Sequence, residues 1–220
     1  VLAIVGAAKE ALIAESPDVV ISAADIPPED LKAAGIELLV PPGRCVDRGT
    51  QDFDEIFAAI EHYGRILGTE DAARASVEDL RKRVEAVTEQ AGKNPSGRTA
   101  AALIFSTEGP LGAYGRLGTV HDQIGALRLT NVFASQNKAY YEVNTEALLD
   151  SDPDVLILLG QKIGETAAEL KRALVSRKEL RKLKAIRHDD IVIVHYGETS
   201  GAPVAVGGLE KLAKQLAALR

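Results

Sequence analysis

The sequence predicts an α/β protein of two similar lobes, each on a parallel, doubly wound sheet, joined by one long rigid helix. Three observations carry this. Residues 10–21 read EALIAESPDVVI and residues 146–157 read EALLDSDPDVLI, and this separation far exceeds the roughly 20–50-residue period of stacked solenoid units. Short β-branched apolar runs alternate with helix-forming stretches, the pattern of a parallel sheet. Residues 70–91 hold a helical period without a break and, at about 1.5 Å per residue, would reach roughly 33 Å.

Each element follows from local chemistry. In both copies of the repeat Glu, Ala and Leu favour helix. Pro17 or Pro153 then turns the residue before it toward extended geometry, and the apolar run that follows reads as a strand buried on both faces. The first lobe reads as helix 7–16, strand 19–22, helix 28–34 ended by Gly35, and strand 36–40. Two strands alone make no stable sheet, so this lobe is expected to be N-terminally incomplete, with further strands before Val1 or from a partner chain.

Asp52, with Glu55 three residues on, opens a helix to residue 67. Gly68 closes it and Thr69 caps the next. In that long helix Ala73, Val77, Leu80, Val84 and Val87 share one face, while Arg81, Lys82 and Arg83 read as a solvated face. The turn-rich segment 92–97 ends it. The second lobe reads as strand 99–106, a glycine-rich loop, helix 119–127, strand 132–133, the second repeat copy with strand 155–159, helices 165–175 and 178–183, strand 191–195 and a closing helix to 219. The predicted organisation is a partial N-terminal lobe (1–68), an interlobe helix (69–92) and a C-terminal lobe (93–220).

Composition narrows the function. A chain of 220 residues, 46% of them apolar, can bury a sizeable core. No run of about 18 apolar residues is present to span a membrane, and a signal or anchor upstream would leave no trace here. Cys45 is the single cysteine, so no internal disulfide forms. A net charge of −6 argues against a nucleic-acid partner, which needs a basic face.

Ligands of such sheets sit beyond the carboxyl ends of the strands, which makes segments 23–26, 41–49, 107–117, 160–164 and 196–201 the candidate site loops. Residues 107–118 read TEGPLGAYGRLG. Gly109, Gly112, Gly115 and Gly118 would let backbone approach a ligand closely. Tyr114 offers a ring and a hydroxyl, and Arg116 a fork of donors for anionic oxygens. The loop lacks the Lys-Ser/Thr of a P-loop and the GxGxxG spacing. The plain alternative is a structural loop with Arg116 in a surface ion pair.

Catalysis finds little support. No G-x-S-x-G elbow occurs, Cys45 has no evident nearby His, and Asp18 and Asp154 read as turn residues in separate lobes. His62, His121, His188 and His195 show neither HxxxH nor HExxH spacing, so no sequence-local metal site is expected. His121–Asp122 reads as a helix-start pair. His195 and Tyr196 end a strand at a candidate loop. Tyr140 and Tyr141 either line the same mouth or pack beside a strand.

Ala113-Tyr114-Gly115-Arg116-Leu117-Gly118, followed by His121-Asp122, resembles the loop of siderophore-binding proteins of ABC importers, whose pattern is AYG, a few small residues, then SRFGxxHD. Here the small insert is missing and Leu replaces Phe. The doubled Glu…Pro-Asp motif, the stretch Gly64-Arg-Ile-Leu-Gly68 with its following acidic cap, and the closing Val206-Gly-Gly-Leu-Glu-Lys-Leu are similar to that family, in the same order. The resemblance covers essentially the whole chain, from partway through the family's first lobe.

The resemblance implies a helical-backbone (class III) substrate-binding protein with two Rossmann-like lobes, a ligand held in the cleft and no catalytic step. It implies an extracytoplasmic place, periplasmic or lipid-anchored at the cell surface. The implied partners are a ferric siderophore or related metal chelate and an ABC importer permease, with no resident cofactor. Arg116 matches the family's ligand arginine, whose charge-assisted bonds contribute about 1.5–3 kcal/mol each. Tyr114, Arg44, Lys162 and Tyr196 are the other candidate ligand contacts. Asp25 and Gln161 stand where catecholate binders often place basic residues, which counts against a highly charged tricatecholate; a less anionic hydroxamate or mixed chelate would need fewer cations, and the sequence does not name the chelator. Glu10 and Glu146 match exposed acids, one per lobe, that seat in arginine pockets of the permease. Their plain alternative is a solvated acid near a helix N-terminus. Two other readings stay open: a haem or corrinoid binder using Tyr114, Tyr196 or His195, and a nucleotide-dependent α/β enzyme using residues 109–118.

Overall fold

A computed structural model describes residues 9–21, 26–39, 51–93, 97–105, 109–161 and 166–219. The chain divides into two compact units, Val1–Arg48 and Gly49–Arg220. Among the described residues no helix is long and apolar enough to cross a membrane.

The first unit contains α1 (Lys9–Ala14), β1 (Val19–Ile21), α2 (Pro28–Ala33) and β2 (Glu37–Leu39). The strands pair in parallel, Val20 opposite Leu38. Ile26, Leu31 and Ile36 are buried, with Leu12, Ile13, Val20 and Leu38 packed on them. α2 opens on Pro28, where a missing N–H costs nothing, and Gly35 at φ +75° turns the chain into β2. Lys9 and Asp30 tie α1 to α2 at 2.8 Å.

The second unit opens with α3 (Phe53–Leu67) and α4 (Glu70–Gly92). Asp52 caps α3 by accepting the Glu55 amide, and Gly68 ends it in the left-handed region. Thr69 sits at the N-cap of α4 without a side-chain bond. The two helices meet closely at Gly64, where a Cβ would lie 2.4 Å from that of Ala73. There follow β3 (Thr99–Phe105), β4 (Leu111–Tyr114), α5 (Thr119–Ala126), β5 (Thr130–Asn131), β6 (Tyr140–Val143), α6 (Thr145–Ser151), β7 (Val155–Gly160), α7 (Ala167–Ser176), α8 (Lys184–Arg187), β8 (Ile191–His195) and α9 (Val204–Leu216).

The sheet runs β6-β4-β3-β7-β8, with β5 also on β3. β3, β7 and β8 are parallel, as the alternation of strands and helices predicts. β4 and β6 are antiparallel to their neighbours, so the sheet is mixed rather than wholly parallel. The reason is length. Only five residues separate β3 from β4, and a parallel crossover needs a dozen or more. The strand expected at 132–133 lies instead at Thr130–Asn131, pairing with Thr99 and Ala100. β3 thus shares one edge between β5 at its start and β4 at its end.

All six residues of β7 are buried. Val155, Ile157 and Leu159 pack with Phe57, Leu80, Ile124 and Leu209 from α3, α4, α5 and α9. Leu156 and Leu158 pack with Leu148, Leu170, Leu174 and Leu180 on the other face. Each such side chain stabilises the fold by about 1.5–3 kcal/mol relative to exposure.

Two expectations about the helices change. α3, read from sequence as part of the first lobe, contributes Phe53, Ile56 and Phe57 to the second unit's core. The 81–83 run is more than a solvated face. Arg81 bonds Asp54 of α3 at 3.0 Å and stacks over Phe57 at 4.6 Å, while Arg83 makes a two-pronged bond of 2.8 Å per arm to Glu210 of α9. Lys82 pairs with Glu78 on its own helix.

The repeat is a repeat of structure. α1–β1 and α6–β7 lie in separate sheets, and Glu10 and Glu146 are each the second residue of their helix and exposed. Ser16 (φ 44°) and Asp152 (φ 31°) precede the two prolines. Both avoid the right-handed region, as a following proline requires, but they take left-handed rather than extended geometry. At Asp152 the helix end explains it: its amide still donates to Leu148 O, and its side chain accepts the Lys184 amide at 2.8 Å.

Candidate functional site

The turn between β4 and α5 converges with the entry to α3. Gln51, Asp52, Arg116, Leu117, Gly118, His121 and Asp122 line a cavity of about 300 Å³. The Gln51 amide donates to Leu117 O at 2.9 Å, and the Thr119 hydroxyl donates to Gln51 O. The Phe53 amide donates to Asp122 Oδ2 at 2.9 Å. Asp52 and Asp122 together therefore satisfy two first-turn amides of α3, donors that a helix cannot pair internally. Burial raises the Asp122 carboxyl above its ordinary range, and the Phe53 amide pulls the other way.

Arg116 is exposed, its Nε donating to Asn137 Oδ1 at 3.0 Å and its backbone amide to Gln136 O at 3.0 Å. Gly115 permits that turn: a Cβ there would sit 2.4 Å and 2.5 Å from the carbonyl oxygens of Gln136 and Lys138. At Gly112 a Cβ would fall 2.2 Å from the Tyr140 ring. The close approaches expected at these two glycines are thus to this chain's own atoms rather than to a ligand, and residues 111–114 are a buried strand rather than a loop.

Tyr114 ends that strand, 7% exposed, with the Tyr140 ring edge-on at 5.7 Å. Burial raises its phenol pKa strongly, and the Tyr196 and Tyr140 phenols reinforce the shift. The fold therefore brings Tyr114, Tyr140 and Tyr196 together, and Tyr140 and Tyr196 are each nearly half exposed. Tyr196 opens a 3₁₀ turn, Tyr196–Thr199, in which His195 Nδ1 accepts the Gly197 amide and Glu198 accepts the His195 amide. Tyr141 packs edge-on against Phe133 at 5.9 Å, away from this group.

Arg44 and Lys162 lie outside the described residues. Sequence reasoning missed Gln51, Asp52 and Asp122 as cavity walls. The adjacent His121–Asp122 pair was the available signal, but the Asp122 bond goes to α3, 69 residues away. Asn131 was also missed. It is 4% exposed and bonds Tyr114 O, the Phe133 amide and His121.

A scan of protein families matches residues 6–196 to the periplasmic binding protein family. A search of curated proteins finds no match. Among solved structures, an ABC-type Fe3+-hydroxamate transport system protein of Saccharomonospora viridis is 34% identical, with a TM-score of 0.81 over 94% of this chain and 71% of that one. A periplasmic haem binding protein of Vibrio cholerae is 17% identical (TM-score 0.77, 95% and 80% covered). A vitamin B12 binding protein of the same organism is also 17% identical (TM-score 0.72, 96% and 78% covered). These last two show the fold. The chain belongs to the periplasmic binding protein family: it is an extracytoplasmic substrate-binding protein of ABC transport, and not an enzyme.

Proposed function

We propose that this protein captures a ferric siderophore with hydroxamate iron-binding groups and delivers it to an ABC importer. The observation that carries the reading is the charge balance of the cavity, where the Arg116 guanidinium is set against the carboxyls of Asp52 and Asp122. Three hydroxamates neutralise Fe3+, whereas three catecholates leave a strongly anionic complex that those carboxyls would repel. Arg116 supplies charge-assisted bonds to chelate oxygens, and the exposed rings of Tyr140 and Tyr196 offer amphipathic contact area. The 34% identity to a protein named for Fe3+-hydroxamate transport supports the same substrate class. The exposed, paired positions of Glu10 and Glu146 support their use as docking acids for the permease.

The chain has five tyrosines and no tryptophan, so tyrosine fluorescence reports binding directly. Titration with ferrioxamine B, a ferric trishydroxamate, is expected to give a Kd below about 10 μM, roughly −7 kcal/mol, and tighter than a ferric tricatecholate. No response to ferrioxamine B together with a Soret band on adding haemin would reassign the ligand to haem.

A further inference from the structure

Two asparagines hydrogen-bond to two side chains of the cavity wall, Arg116 and His121. Asn137 accepts from Arg116 Nε. Asn131 faces His121, its Nδ2 lying 3.3 Å from His121 Nδ1. The orientation of the Asn131 amide is not free. The Phe133 amide can only donate, so the atom it meets at 2.9 Å must be Oδ1. Tyr114 O can only accept, so the atom 3.1 Å from it must be Nδ2. Two independent partners thus present a donor to His121, and Nδ1 must accept. Neutral imidazole carries one proton, which therefore sits on Nε2.

The position of the ring is equally constrained. The His121 amide donates to Gly118 O at 2.8 Å, and its neighbour Asp122 is tied to α3. Asn131 is buried and is not part of the cavity wall, whereas His121 is. We infer that Asn131 locks His121 as its Nε2–H tautomer, and that His121 is a ligand-contacting donor beside Arg116, suited to a neutral or weakly charged chelate oxygen. Asn131 is then a positioning residue. The donor role rests on the siderophore reading above; the tautomer lock does not.

The pair also fits a weakly charged ligand better than a second arginine would. A neutral N–H adds a directed bond without adding a cation.

The test has two arms. In ¹⁵N-labelled free protein, long-range ¹H–¹⁵N correlation at neutral pH is expected to show His121 protonated at Nε2, assigned by the signal lost in H121Q. In N131D the carboxylate accepts where the amide donated, and the proton is expected on Nδ1. In the second arm, ferrioxamine B binding is measured for variants whose melting temperatures confirm folding. H121Q keeps a donor at the Nε2 position and should hold Kd within about twofold of wild type. H121N moves the amide to the Nδ1 position and should weaken binding about five- to tenfold, one neutral hydrogen bond. N131D should weaken it similarly, and H121Q in the N131D background should restore it. An Nδ1–H tautomer in wild type, or H121N binding as tightly as wild type, overturns the inference. If wild type shows the Nε2–H tautomer but binds no ferric hydroxamate, the siderophore reading and the donor role fail and the tautomer lock stands.

Discussion

Asp122 Oδ2 accepts the Phe53 amide at 2.9 Å across 69 residues of sequence, so the first turn of α5 caps the first turn of α3. This bond joins two walls of the cavity. Because burial raises the Asp122 pKa, its folded-state value lies above the unfolded one. Its protonation then adds stability that is full below 3.8, the ordinary value, and is lost as pH rises through the folded value. Asp122→Asn keeps an accepting oxygen and removes the buried charge, so its melting temperature at neutral pH should match or exceed wild type. Asp122→Ala should lose about 1 kcal/mol, as a lost cap does. An Asn variant that melts as low as the Ala variant would show that the charge itself is needed.

Asp154 has the opposite sign. Burial opposes its charge, but the Thr99 amide, the Lys184 ammonium and the Thr99 hydroxyl together hold its pKa down to about 2. Its contribution is present above 3.8 and disappears as pH falls through about 2. Allowing for its partial exposure, it stabilises β3 against β7 by on the order of 1–2 kcal/mol. Melting curves of Asp154→Ala and wild type should differ most at neutral pH and converge as pH drops from 4 toward 2. A constant gap across that range would mean that packing, not charge, sets the loss.

Gly115 and Gly112 should respond differently to alanine. At Gly115 the obstruction is backbone oxygen on two residues, which cannot swing aside. At Gly112 it is the ring of Tyr140, 46% exposed and able to rotate outward. Gly115→Ala is expected to cost about 2–3 kcal/mol and Gly112→Ala about 1 kcal/mol or less, measured by denaturant midpoints. Equal losses would place the Tyr140 ring in a rigid setting.

Arg116→Ala should weaken a ferric hydroxamate by about 1.5 kcal/mol or more while leaving the melting temperature nearly unchanged, since its side-chain bond to Asn137 is exposed. Isothermal titration on a variant shown to be folded checks this. Unaltered affinity would move Arg116 out of the binding surface.

Glu10→Ala and Glu146→Ala remove exposed charges from helix first turns. Ligand affinity should stay within about twofold, while uptake through the importer slows and its salt dependence falls, as loss of steering charges does. Weakened ligand binding with normal uptake would put these acids in the ligand site.

The α/β architecture was legible because it rests on local signals. Short continuous apolar runs located β3, β7 and β8 to within one residue, and the period-3.6 pattern located most of the longer helices to within two, although α9 ends at Leu216 rather than at 219 and α8 was not read as a separate helix. Gly35 and Gly68 marked helix ends that the structure places at positive φ. The candidate site was legible only in part. Arg116 and the His121–Asp122 pair stood out, but their partners Asn137, Asn131 and Phe53 lie 10 to 69 residues away, and nothing in the local pattern points to them.

By itself the sequence determined the class, the repeated helix–strand unit and the family, since periodicity, turn chemistry and motif order are properties of neighbouring residues. Tertiary structure alone decided that β4 and β6 run antiparallel, that two glycines of the rich segment make room for the chain's own backbone and a tyrosine ring, and that Asn131 sets the histidine facing the cavity. Those outcomes depend on which distant groups meet at hydrogen-bonding or van der Waals distance, and chain closure rather than local propensity selects them.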